Sequence, residues 1–175
     1  MTTDGPNDPA LERRLGAELR RHMAEAEREA QTLAAKRRAL SDVARGAVDR
    51  GDAVTVSAGG VEFSGMGVYA RGDLMTLSSQ SAIVEVHISV IDWLRIDARA
   101  RAGGRSSPVE AESFTARLGL LELTGESVML LGSAVRVEGR IAAVARDHVQ
   151  VVAADGKDWF LPMAAVAFVV RSKND

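Results

Sequence analysis

Sliding the chain by 74 residues lays 53–97 over 127–171 without a gap, and no other feature restricts the fold as much. Val54 then meets Val128, Val61 meets Val135, Gly65 meets Gly139 and Asp73 meets Asp147. Identities stop there, but apolar positions coincide: Val56 with Leu130, Phe63 with Val137, Met75 with Val149 and Leu77 with Val151. Further along, Val86 meets Phe160, Leu94 meets Phe168 and Ile96 meets Val170. A helical pattern precedes each copy. The physical reading is one unit, a helix followed by five short strands, present twice. A chain of 175 residues has room for one ordinary domain or two very small ones, and 46% hydrophobic residues suffice for a core.

Residues 1–8 read as a disordered tail. Asp8 and Pro9 then have the form of a helix start, an aspartate cap with proline at the first helical position. Residues 9–50 are rich in Ala, Leu, Glu and Arg and predict one long helix, with a break expected near 41–46, where Ser41-Asp42 or Gly46 could interrupt it. Leu19, Met23, Ala26, Ala30, Leu33, Leu40, Ala44 and Ala47 follow a 4-3 spacing, interrupted at Arg37, that gives a coiled-coil or helix-packing seam.

After Gly51 the period becomes strand-like. Strands are predicted at 53–57, 61–69, 74–77, 83–90 and 94–96, and again at 128–131, 135–144, 148–153, 158–161 and 167–170. In IVEVHISV, Val84, Val86, Ile88 and Val90 share one face; Glu85 and His87 lie on the other, read as an exposed polar face. Residues 98–107 form a basic linker, and 108–171 hold the second helix and strand set. Ser107-Pro108-Val109-Glu110 resembles a capping box for that helix; Ser113 is the competing start. Gly65 and Gly139 fall inside the second strand of each copy, where glycine marks a sharp bend or a close backbone approach. Asp73 and Asp147 precede strand three, where aspartate favours a tight turn.

A helix, five strands, a bending glycine in strand two and an aspartate before strand three resemble the Sm-like or SH3-like small barrel. The whole layout resembles uncharacterised actinobacterial proteins with an N-terminal charged helix and tandem barrels of this kind, on the stretches VTVSAGGVEFSGMGVYARGDLMTL and VMLLGSAVRVEGRIAAVARDHVQVV. The resemblance implies a mainly β protein with α: a long N-terminal helix, then two five-stranded barrels at 51–97 and within 108–171, each preceded by a helix. It implies no activity. Base-holding residues of Sm proteins do not carry over, because Asp73 is followed by Leu74-Met75-Thr76 and Asp147 by His148-Val149-Gln150, without asparagine. The Arg-Gly or Lys-His pair of the second Sm motif is also missing around 88–92 and 162–166.

The chain has no cysteine, which excludes a disulfide framework, a thiolate zinc site and a cysteine nucleophile. No nucleophile elbow, phosphate loop or paired-histidine metal motif occurs, so no catalytic residue, cofactor, metal or small-molecule substrate is expected. Glu85 and His87 at i, i+2 are too few ligands for a metal site. The start of the sequence has no apolar stretch of the secretory kind, and the longest apolar run, 159–170, is too short to span a membrane. A cytoplasmic protein without membrane contact is expected.

Charge separates the remaining options. Residues 51–98 carry six acidic and two basic side chains, so the first strand set would repel phosphate. Local basic character is confined to Lys36, Arg37, Arg38 and Arg45 on the helix and Arg99, Arg101 and Arg105 in the linker. Aromatics for base stacking are few: Tyr69, Trp93 and Trp159, with both tryptophans better read as packing residues and Phe63, Phe114, Phe160 and Phe168 as core. The expected function is a non-enzymatic protein-binding or scaffold module, self-associating through Leu19, Met23, Leu33 and Leu40. The alternative is a nucleic-acid-associated Sm-like protein using the helix and linker arginines.

Overall fold

The computed structural model describes residues 9–100 and 111–173, with side chains from residue 16 onward. The expected tail at 1–8, the Asp8 cap, Arg101, Arg105 and the Ser107 capping box lie outside the described residues. The chain divides into two units, 1–38 and 39–175.

Helix α1 (Pro9–Lys36) belongs to the first unit, and α2 (Leu40–Arg50) opens the second. The single helix expected over 9–50 is therefore two, and the break lies at 37–39, not at 41–46. The Arg37 and Arg38 amides tighten the last turn of α1 by bonding to the Ala34 and Ala35 carbonyls at 3.3 Å. Asp42 does not cap a helix of its own. From the third position of α2 its Oδ2 accepts the Ala39 N–H at 3.2 Å.

The second unit continues with β1 (Ala53–Ala58), β2 (Val61–Arg71), β3 (Leu74–Ser78), β4 (Ala82–His87) and β5 (Trp93–Ala98). Helix α3 (Phe114–Thr124) follows. The chain ends with β6 (Ser127–Leu131), β7 (Arg136–Val144), β8 (His148–Ala153), β9 (Asp158–Pro162) and β10 (Phe168–Ser172). Short 3-10 turns at Ile88–Val90 and Met163–Ala165 lead into β5 and β10. The segment 83–90 is thus a strand only as far as His87. Helix α3 starts at Phe114, so the start at 108 is corrected: residues 111–113 are not helical. Ser113 Oγ accepts the Ala116 N–H at 3.1 Å, and the Phe114 N–H is taken by Asp73 Oδ1 at 2.8 Å.

The described strands form one open antiparallel sheet in the order β5-β1-β2-β3-β4-β10-β6-β7-β8-β9. Each half repeats one order, with its fifth strand outside its first, and the halves meet where β4 pairs with β10. The 74-residue shift extends to the helices, since Leu40–Arg50 maps onto Phe114–Thr124 and the left-handed cap Gly51 onto Gly125.

The second strand of each half changes partner along its length. In β2, residues 61–66 pair with β1 and 66–71 with β3; in β7, residues 136–140 pair with β6 and 139–144 with β8. Gly65 and Gly139 sit at these hand-overs. A β-carbon at Gly139 would lie 2.2 Å from the Val152 carbonyl oxygen and 2.9 Å from Ala153 Cα. At Gly65 the nearest atom, the Ser78 carbonyl oxygen, is 2.9 Å away. Backbone gives way less readily than a side chain, so Gly139→Ala is expected to cost about 1–3 kcal/mol. Gly65→Ala should cost clearly less. Urea denaturation of the two variants checks the order; equal losses would mean that the hand-over geometry does not decide the effect.

Two apolar clusters fill the unit, and they do not follow the repeat. Phe168, Ala167 and Leu131, from the second half, pack with Val54, Val56, Met75, Val84, Val86 and α2 of the first. Tyr69 and Leu74, from the first half, pack with α3, Val128, Leu130 and Val149 of the second. The Tyr69 hydroxyl donates to the Ala111 carbonyl.

Candidate interaction surfaces

The seam between β4 and β10 buries a charge. Glu85 is fully buried. Its Oε1 accepts Arg117 Nε at 2.8 Å and Arg171 Nη2 at 2.9 Å, and its Oε2 accepts the Thr76 hydroxyl at 2.6 Å. Arg171 also reaches Glu126 at 3.4 Å. One carboxylate from the first half is thereby shared by two guanidiniums from the second. His87 stacks on Phe114 with ring centroids 4.5 Å apart, and its Nδ1 lies 3.2 Å from the Val166 carbonyl. Its Nε2 lies 3.4 Å from Asp73 Oδ2.

These contacts correct the reading of Glu85 and His87 as an exposed polar face. Helix α3 lies over that side of β4, so both faces of the strand are covered. The two residues are structural, and among the described residues no three His, Cys, Asp or Glu side chains converge on a metal position. Asp73 serves α3 and His87 across the seam. Its counterpart Asp147 is exposed and pairs only locally, with His148 Nδ1 at 2.7 Å. That hydrogen bond, first among the causes, holds the Asp147 carboxyl below its ordinary pKa.

A second buried carboxylate, Asp52, ties the end of α2 to the chain beyond β5. Arg50 donates to its Oδ2 from Nε at 2.9 Å and Nη2 at 2.7 Å, and the Ala100 N–H donates to its Oδ1 at 3.1 Å. Burial by itself would raise the Asp52 carboxyl. The Arg50 and Ala100 hydrogen bonds and the charges of Arg50 and Arg99 outweigh it and hold the group below its ordinary value of 3.8. A carboxyl depressed in the fold stabilises it at pH above 3.8, and the contribution is lost as pH falls through the lower folded value. Wild type is therefore expected to outlast Asp52→Asn in urea at neutral pH, with the gap closing below that window. A gap constant down to strongly acid pH would rule the linkage out.

The sheet ends are open. On β9, Trp159 is 46% and Phe160 61% exposed; on β5, Trp93 is 37% exposed with Arg95 5.5 Å above its ring. Phe160 is thus not core, and neither tryptophan is buried by packing. Tyr69 is buried and not free to stack on a base. In the first unit, Leu19, Met23 and Leu33 are 63%, 64% and 56% exposed on α1. Leu40 is exposed too, but it starts α2 and does not continue their stripe; Ala44 and Ala47, further along the expected seam, are fully buried in the core. Lys36, Arg37, Arg38, Arg45 and Arg99 are all exposed.

An open groove of about 770 Å³ runs past Ser64, Ser79, Gln80, Asp97 and Lys173. Its charges are committed internally: Lys173 Nζ to the Ser79 carbonyl at 2.7 Å, Asp97 to Thr55 and to Arg95. Among the described residues no helix is long and apolar enough to cross a membrane.

Sequence reasoning missed Arg117 and Arg171 as partners of Glu85. The available signal was a glutamate inside the run IVEVH, where a strand covered on both faces would force it to find a cation. Comparison with protein-family models and with curated proteins finds no match to this chain.

Proposed function

We propose that the chain is a non-enzymatic scaffold that associates with further copies of itself, with α1 as one contact. The observation that carries this reading is the stripe of Leu19, Met23 and Leu33, large apolar side chains on one helix and all more than half exposed. Each half of the sheet is read as a small barrel of the Sm-like or SH3-like kind, in a cytoplasmic protein. The repeated strand order and the partner change within β2 and β7 support the small-barrel reading.

The nucleic-acid reading has less behind it. The exposed cations Lys36, Arg37 and Arg38 favour it, but Tyr69, one of three stacking candidates, is buried. The test is sedimentation of the full chain beside Leu19→Glu/Leu33→Glu. Two buried charges in a helix seam are expected to weaken association at least about tenfold. An unchanged mass would remove α1 as a contact. Binding to RNA that falls steeply with salt would favour the alternative.

A further inference from the structure

Three exposed residues of the second unit have counterparts that are buried or engaged at the β4–β10 seam. Phe160 corresponds to Val86, which is fully buried and paired with Phe168 of β10. Asp147 corresponds to Asp73, which receives the first N–H of α3. Leu40 corresponds to Phe114, which is fully buried and stacks on His87. Phe160 and Asp147 are exposed because, among the described residues of the second unit, β9 has no strand beside it in the place β10 takes beside β4 and no helix over it as α3 lies over β4. Leu40 is exposed at the other end, where α2 has no such strand beneath its first turn. The missing pieces are a fifth strand and its preceding helix. At the other end of the sheet, β5 and α2 are such a pair, and among the described residues no strand pairs with the outer edge of β5.

We propose that β9 of one copy pairs with β5 of a second copy in the register of the internal seam. The contact deepens the self-association reading by naming a second surface for it. Across the seam Phe168 faces Val86, Val169 faces Glu85 and Arg171 faces Ile83. Shifting both strands by 74 residues sets Leu94 against Phe160, Arg95 against Trp159 and Asp97 against Lys157. These are an apolar pair, a cation facing an aromatic side chain and opposite charges, although within one copy Arg95 and Asp97 already pair with each other at 2.6 Å and Lys157 pairs with Asp155 at 2.6 Å. Ile96 against Asp158 is the least favourable match, and Asp158 already has Gln150 at 3.2 Å. The same shift brings the start of α2 of the second copy to β9, with its first N–H at Asp147; Leu161, the counterpart of His87, is already buried within one copy. The contact is head-to-tail, so a pair of copies keeps one free β5 and one free β9, and assembly continues until a ring closes or a filament grows. It also covers the two open edges, which otherwise template unwanted pairing.

The absence of cysteine makes the register directly testable. The His87 N–H bonds the Ala167 carbonyl at 2.9 Å, so the Phe168–Val86 pair one residue along lies between hydrogen-bonded pairs. Leu94 and Phe160 inherit that position, where Cα atoms approach to about 4.5 Å, within disulfide reach. Full-length Leu94→Cys and Phe160→Cys chains, mixed and mildly oxidised, are expected to give a mixed disulfide dimer well in excess of either homodimer. No mixed dimer, or homodimers in equal amount, would overturn the proposal. Phe160→Lys, a change at an exposed side chain, should lower the sedimenting mass of the cysteine-free chain; an unchanged mass would also overturn it. Adding Leu19→Glu/Leu33→Glu to the cysteine pair separates the two surfaces. The mixed disulfide should persist even if α1 proves to make no contact.

Discussion

Phe168→Ala is expected to destabilise the second unit by about 3–5 kcal/mol, the usual cost of emptying a fully buried phenylalanine site. Phe168 is 0% exposed and meets Phe63 edge-to-face at 5.0 Å between centroids. It belongs by sequence to the second half and by packing to the core of the first, so the loss should not stay local. Trp93 and Trp159 lie on β5 and β9, one in each half, and single-tryptophan variants report on each separately. Both signals should move to lower urea together, because each half supplies residues to the core of the other. If only the Trp93 transition moved, the halves would be independent domains, and the exchanged clusters would not govern cooperativity.

Glu85→Gln is expected to cost a similar amount, about 3–5 kcal/mol, since it removes the buried charge that two guanidiniums share at 2.8 and 2.9 Å. The amide is nearly isosteric, so packing is retained. Its NH2 group cannot accept from Thr76 or the arginines. The loss should change little between low and moderate salt, because a buried cluster is poorly screened. Urea midpoints at two ionic strengths check both points. A cost under about 1 kcal/mol would show that water reaches the cluster and replaces the carboxylate. Loss of the cluster should also loosen the β4–β10 pairing, which the head-to-tail contact copies without an equivalent charge: Trp159 stands where Glu85 does.

Much of the strand layout was legible in the sequence. Alternation and turn residues placed all ten described strands within a few residues, and the repeat showed that the two sets are one pattern. Helix ends were only partly legible. The helix break moved to 37–39 because Asp42 acts on Ala39. For α3 the sequence offered both 108 and Ser113; Ser113 is the cap, and the part of Asp73, forty-one residues earlier, in taking the Phe114 N–H was not visible. Burial of polar residues was missed for a related reason. The period of β4 distinguishes its two faces, but it carries no information about what lies over each.

The surfaces were legible in kind and less so in place. The 4-3 spacing found the exposed residues of α1, yet it also took in Leu40, Ala44 and Ala47, which belong to another helix. Phe160 and Trp159 read as packing residues because an apolar strand pattern does not show whether its neighbour is present. Sequence alone determined the unit of construction: a helix and five strands, written twice at a spacing of 74 residues. Tertiary structure decided which edges meet. A strand edge consists of backbone N–H and C=O groups common to every residue, so side-chain order cannot say that β4 is satisfied by β10 while β5 and β9 remain open.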